Sequence, residues 1–215
     1  MLGPVSELLR ARGAATWAAA TGHPMVAEIG AGTLPRETFR RYFEQNTQYL
    51  EDYARAIALV IATAPSREAI SVLSRFLAQI TETEIPANYS FLERLGGNAG
   101  VALEPAAYAY TRHLLDTAAR GDLAAGLAAL LPCQWSYGEI GQNLAAAGGA
   151  PDDPFCAEWI ALFSGDGYDD LVQASTDLLD QYASAARLEE LAGVFDRSTR
   201  YELAFWDMAY GSANG

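Results

Sequence analysis

Between Pro35 and Ala64 the side chains Phe39, Tyr42, Phe43, Tyr49, Leu50, Tyr53, Ile57 and Val60 recur at threes and fours, and Pro65 stops the pattern. Only an α-helix gathers residues at that spacing onto one face, and the residue before a proline leaves the helical region. A helix this long with a continuous apolar stripe needs partners of its own kind to cover it. The rest of the chain supplies them, because Ala and Leu dominate, β-branched alternation is almost absent, and Pro and Gly punctuate at helical intervals. The sequence predicts an all-α fold with no strand.

The other elements follow from their end signals. A first helix is expected from about Val5 to Ala20, then the turn Thr21-Gly22-His23-Pro24 and a short segment ending at Gly30-Ala31-Gly32. Ser66 caps a helix carrying Ile70, Leu73, Phe76, Leu77 and Ile80, which Pro86 should kink and Gly96-Gly97 should close with a left-handed residue. Pro105 opens a helix that ends at Gly121, and Asp122 caps one running to about Ala147 with Pro132 in its interior. Helices at about Pro154 to Phe163, Tyr168 to Tyr182 and Arg187 to Tyr210 complete the set. The stretch Gly148 to Pro154 is the nearest approach to a linker and has the length of an ordinary loop, so residues 1–215 are expected to form one helical domain. Bundle cores are where such folds place ligand sites.

Charge and composition remove several classes of function. Fourteen basic residues against 27 acidic ones give a net charge of −13, so a grip on a phosphate backbone has little to work with and nucleic acid is not an expected partner. Two cysteines cannot staple a chain of 215 residues, and Met1-Leu2-Gly3-Pro4-Val5-Ser6-Glu7 lacks a basic then apolar leader, so a reducing cytoplasm is expected. The apolar run Ala56 to Ala62 is far short of the ~20 residues that span a bilayer, so no membrane is expected. His23 and His113 are the two histidines, neither with a second one three or four residues away, so no metal is expected. Phosphate-loop, dinucleotide and serine-elbow motifs are missing from the sequence.

Three groups of residues could carry chemistry. In Leu130-Leu131-Pro132-Cys133-Gln134-Trp135-Ser136-Tyr137-Gly138-Glu139-Ile140-Gly141, Cys133 and Tyr137 share a helix face. Pro132 has no N–H, and a helix restarting there would aim N–H groups at the sulfur and favour thiolate. A lone cysteine in a helical core is most often an inert small hydrophobe, and both readings stay open, as they do for Cys156. Tyr42, Asn46, Tyr49 and Tyr53 form a second face, and Glu202, Phe205, Trp206 and Ala209 a third. Aromatics with one polar group suit a flat heteroaromatic ligand, and they equally suit aromatic packing with solvent-tipped phenols.

Taken in order, Trp17 through His23-Pro24, Gly32-Thr33-Leu34-Pro35, Tyr42-Phe43-Glu44-Gln45-Asn46 with Tyr49-Leu50, Leu131 through Trp135 with Tyr137 and Glu139-Ile140-Gly141, and Tyr201-Glu202 through Tyr210 resemble the TenA family of thiaminase II proteins. That family lies within the haem-oxygenase-like helical superfamily. The resemblance implies a compact bundle, usually a homotetramer, with neither metal nor cofactor. It implies cleavage of the C–N bond at the methylene of a 4-amino-2-methylpyrimidine, giving hydroxymethylpyrimidine in thiamin salvage. It makes Cys133 the nucleophile that adds to the ring and Glu202 the proton shuttle, its pKa raised by aromatic surroundings. Asn46, Tyr49, Tyr110, Tyr137, Phe163 and Phe205 fall at the family's substrate-binding positions.

Three positions depart from the family pattern. Asn46 stands where an aspartate reads the pyrimidine edge, Phe163 where a tyrosine follows Trp159 by four residues, and Asn88 where a histidine precedes Leu95-Gly96. A carboxamide cannot hold a protonated ring nitrogen as a carboxylate does, and that loss implies a rate lower by on the order of 10²-fold. Asn46 could still offer its oxygen to an exocyclic amine and its NH2 to a ring nitrogen. Two expectations result. One is a cysteine hydrolase of aminopyrimidines. The other is a protein retuned by Asn46 and Phe163 to bind a different heterocycle without turnover, as a sensor, carrier or regulator.

Overall fold

The computed structural model describes residues 3–150 and 152–211, so Met1 and Leu2 of the amino terminus, Pro151 within the stretch Gly148 to Pro154, and residues 212–215 lie outside the described residues. The elements are α1 (Val5–Arg12), α2 (Ala14–Thr21), α3 (Pro24–Ala31), α4 (Arg36–Ala62), α5 (Arg67–Ala78), a π-helical segment (Gln79–Glu84), α6 (Ile85–Arg94), α7 (Pro105–Arg120), α8 (Leu123–Ala146), α9 (Pro154–Phe163), α10 (Asp166–Tyr182), a 3₁₀ turn (Ala185–Arg187) and α11 (Leu188–Gly211). Among the described residues there is no strand, as the periodicity predicts.

The capping residues act as read. The Ser66 hydroxyl accepts from Ala69 N–H at 3.1 Å, and the Asp122 carboxylate accepts from Ala125 N–H at the same distance. Gly96 ends α6 at φ +64°, the left-handed conformation that a side chain disfavours.

Two elements differ from expectation. The first helix is two, because Gly13 breaks it; a glycine inside a helix costs about 1 kcal/mol relative to alanine. Pro86 stands in the first turn of α6, where its missing N–H is least needed, and the turn before it widens into the π-helical segment. The proline therefore meets a loosened turn that lacks the regular i to i−4 ladder.

Helix α8 is buried on nearly every side from Leu123 to Gly141, so it forms the axis of the bundle. Helices α7, α9, α10 and α11 surround it, and α4 closes the remaining side while also packing on α5, α6 and α7. Gly141 lets α9 come close: a Cβ there would sit 2.6 Å from the Phe163 carbonyl carbon and 2.7 Å from its oxygen. That contact sets Phe163 against Tyr137, one turn earlier on α8. Among the described residues no helix is long and apolar enough to cross a membrane.

Candidate active site

Five helices turn one side chain or more into a common interior. Helix α8 contributes Cys133 and Tyr137, α11 contributes Glu202, Phe205 and Trp206, α7 contributes Tyr110, α4 contributes Tyr42, Asn46 and Tyr49, and α9 contributes Trp159 and Phe163. The Tyr110 hydroxyl donates to Glu202 Oε1 at 2.6 Å. The Tyr42 and Tyr137 hydroxyls are paired at 3.0 Å. Rings carry the contact onward. Trp206 stacks on Tyr42 with centroids 5.5 Å apart and on Tyr137 at 5.4 Å, Tyr49 meets Tyr110 at 5.0 Å and Phe205 at 5.5 Å, and Tyr137 meets Phe163 edge-on at 5.0 Å.

Burial decides the electrostatics. Glu202 is 3% exposed, and desolvation pushes its carboxyl up to about 7, while hydrogen bonds donated by Tyr110 and Cys133 hold it from rising further. The Cys133 thiol is raised well above its ordinary value, first by desolvation and then by the Glu202 charge; the nearby Tyr49 phenol offsets part of the rise. The resting sulfur is a neutral thiol beside a carboxyl group. This corrects the expectation of a helix restart at Pro132. Helix α8 runs through the proline unbroken, so no set of free N–H groups faces the sulfur, and its nearest charge is negative. Deprotonation must come from a partner base, and Glu202 is in contact to act as one.

Asn46 sits at the other end of this interior. Its Nδ2 donates to Asn88 Oδ1 at 2.8 Å, and Asn88 Nδ2 donates in turn to Thr47 Oγ1 at 2.5 Å and to the Phe43 carbonyl at 3.3 Å. Two of the three departures from the family pattern are therefore one hydrogen-bonded pair. One of the two Asn46 N–H groups is engaged by Asn88, which leaves the other N–H and the oxygen to face a ligand, as the two-sided reading expected from sequence requires. Asn46, Asn88 and Phe163 line a cavity of about 10 Å³ together with Tyr42, Trp159 and Glu84. Cys133 and Glu202 do not line it; Tyr42 does, and its hydroxyl pairs with that of Tyr137.

The remaining candidates lie elsewhere. Cys156 is buried at the start of α9 beside Asp153 and Arg36, with its thiol raised to about 11 by desolvation first. His23 Nδ1 accepts from Met25 N–H at 3.1 Å, capping α3. His113 pairs with the Ser198 hydroxyl at 2.9 Å and is pushed down to about 4 by burial, so it stays neutral. The sequence reading missed Glu84. In Thr81-Glu82-Thr83-Glu84 all four residues look solvated, yet Glu82 is exposed and Glu84 is buried. Only Pro86, two residues on, signals a change of helical phase.

Residues 10–212 match the sequence profile of the TENA/THI-4/PQQC family. The chain belongs to this family. An aminopyrimidine aminohydrolase from Halalkalibacterium halodurans is 38% identical over 201 residues, covering 90% of each chain. One from Bacillus subtilis is 32% identical over 212 residues, covering 95% of this chain and 89% of the relative. A TenA family transcription regulator from Silicibacter sp. TM1040 superposes with a TM-score of 0.88 at 30% identity, covering 96% of both chains. A haem-oxygenase-like domain from Shewanella denitrificans, 14% identical with a TM-score of 0.76 over 97% of this chain and 93% of its own, shares the fold alone.

Proposed function

We propose that the protein is an aminopyrimidine aminohydrolase of the thiaminase II type, acting in salvage of the thiamin pyrimidine. The observation that carries this reading is the Cys133 thiol in contact with the Glu202 carboxyl, which Tyr110 holds from its other side. The likeness to curated aminopyrimidine aminohydrolases over most of the chain supports it.

Ionised Glu202 takes the proton of Cys133, and the thiolate adds to the pyrimidine ring, forming a C–S bond and breaking aromaticity. The ring electron pair expels the amine from the exocyclic methylene as the C–N bond breaks, and the proton on Glu202 goes to that leaving group, which departs as ammonia. Water, deprotonated by Glu202, adds to the methylene. The C–S bond then breaks, the thiolate leaves, and the Glu202 proton returns to sulfur. The sum is aminomethylpyrimidine and water giving hydroxymethylpyrimidine and ammonia. A carboxyl with a pKa near 7 suits both directions of transfer, because it is substantially populated in each form at neutral pH. Tyr49, Tyr110, Tyr137, Phe163 and Phe205 wall the ring, and Asn46 contacts its edge.

Hydroxymethylpyrimidine release from aminomethylpyrimidine and from thiamin tests the reading. Cys133→Ser should lower turnover by more than about 10³-fold and Glu202→Gln by about 10² to 10⁴-fold, with both variants still binding product. Wild-type protein that binds the product and turns over neither compound would support the non-catalytic binder instead. The reading includes a cytoplasmic homotetramer of single-domain chains, and light scattering of the purified protein checks the tetramer.

A further inference from the structure

Among the described residues two buried acidic groups are not used by the proposed reaction: Glu44, which is paired with Arg40, and Glu84. Glu84 closes the π-helical segment, it is 7% exposed, and its Oε1 is buried with no hydrogen-bond partner. A carboxylate stripped of water with one oxygen left unpaired costs several kcal/mol or gives up its charge. Glu84 does the latter: desolvation pushes it up to about 8, with Gln79 offsetting part of the rise. It therefore rests as a neutral acid, with an O–H to donate and a carbonyl oxygen to accept.

Its place gives that group a use. Glu84 and Asn88 are four residues apart across the junction of the π-helical segment with α6 and line one cavity with Asn46, Tyr42, Trp159 and Phe163. Trp159 lines it too, and its buried indole N–H lies beside the Tyr42 hydroxyl without completing a regular hydrogen bond. At about 10 Å³ the cavity has room for one water-sized group. That is the size of an exocyclic amine and far less than a ring. A 4-aminopyrimidine presents an amine donor beside a ring-nitrogen acceptor along one edge. A neutral carboxylic acid matches both, accepting from the amine and donating to the ring nitrogen. Asn46, with one N–H engaged by Asn88, adds an acceptor next to it.

We propose that Glu84 is the carboxyl that reads the amine-bearing edge of the ligand, so that the function lost from α4 with Asn46 is supplied from the π-helical segment before α6. This assignment rests on the aminopyrimidine reading above. It makes Glu84 a specificity residue for ligands with an amine beside a ring nitrogen, and it makes Asn46 a secondary contact.

Calorimetry on the full chain tests it with two probes, 4-amino-5-hydroxymethyl-2-methylpyrimidine and the same compound lacking the 4-amino group. Wild type should prefer the amino compound by at least about tenfold, since a site built to pair a polar group rejects the analogue lacking it. In Glu84→Met the affinity for the amino compound should fall by about tenfold or more while that for the analogue stays within about twofold, collapsing the preference. A merely structural role would weaken both probes alike and keep their ratio. Should the methionine variant fail to fold, Glu84→Leu removes the same acceptor and donor with a shorter side chain and should reduce the ratio by at least about threefold. A ratio unchanged in the folded variants overturns the assignment and leaves the hydrolase reading standing. Wild type that binds neither probe and releases no hydroxymethylpyrimidine overturns both, and does so before any variant is made.

Discussion

At the scale of single residues, the pair Asn46 and Asn88 changes what a reversion can do. Asn88 is oriented by its bonds to Thr47 and the Phe43 carbonyl, so its oxygen faces position 46. Asn46→Asp would set a carboxylate oxygen against that oxygen, and turning Asn88 over would break its other two bonds. The single change should destabilise the protein by about 1–3 kcal/mol and fail to raise turnover. The double change with Asn88→His restores a donor and should recover stability relative to Asn46→Asp; denaturant midpoints and hydroxymethylpyrimidine release read both. The buried carboxyls give a second prediction. Glu84 near 8 and Glu202 near 7 both lie above the value of 4.5 usual for glutamate, so the folded chain keeps protons that the unfolded chain releases. Their contribution to stability is present below about pH 4.5 and is lost as pH rises through 7 and 8. Urea unfolding of Glu84→Gln at pH 5 and pH 8 should show a smaller fall than wild type; an equal fall would mean that Glu84 ionises normally.

At the scale of elements, the close approach of α8 and α9 is the sensitive joint. Gly141→Ala would place a methyl within 2.6 Å of the Phe163 backbone, and the two helices can relieve that only by separating. A loss of about 1–3 kcal/mol is expected from such overpacking, together with weaker product binding, because Phe163 and Tyr137 would part. Thermal melting and calorimetry on one preparation check both. Periodicity and capping residues made most helices legible from sequence alone: Ser66, Asp122 and Gly96 stand where their chemistry places them. The break at Gly13 and the π-helical segment were not legible, since each depends on what the neighbouring helices allow. Burial of Glu84 shares that origin, because a local stretch of Thr and Glu carries no sign of which carboxylate the tertiary structure covers.

At the scale of the whole molecule, Cys133, Glu202 and Asn46 could be named as candidates from their motifs and Tyr110 from the resemblance, and the interior that holds them could not. The hydrogen bond from Asn46 to Asn88 and the contact of thiol with carboxyl join residues of different helices, a relation that no spacing along the chain encodes. Net charge is also a property of the whole. At −13 the protein should show no electrophoretic retardation of DNA at low salt, and a shift that weakens as salt is added would contradict the charge argument.

Tyr42, Asn46 and Tyr49 ride on one uninterrupted helix, each within two turns of the others. Helical rise separates Asn46 from Tyr49 by about 4.5 Å along the axis, and no hinge lies between them. The site thus behaves as a ruler. A compound whose polar edge and ring face are spaced differently from an aminopyrimidine's meets one mark and misses the next, and it is turned away on length before any bond is tested.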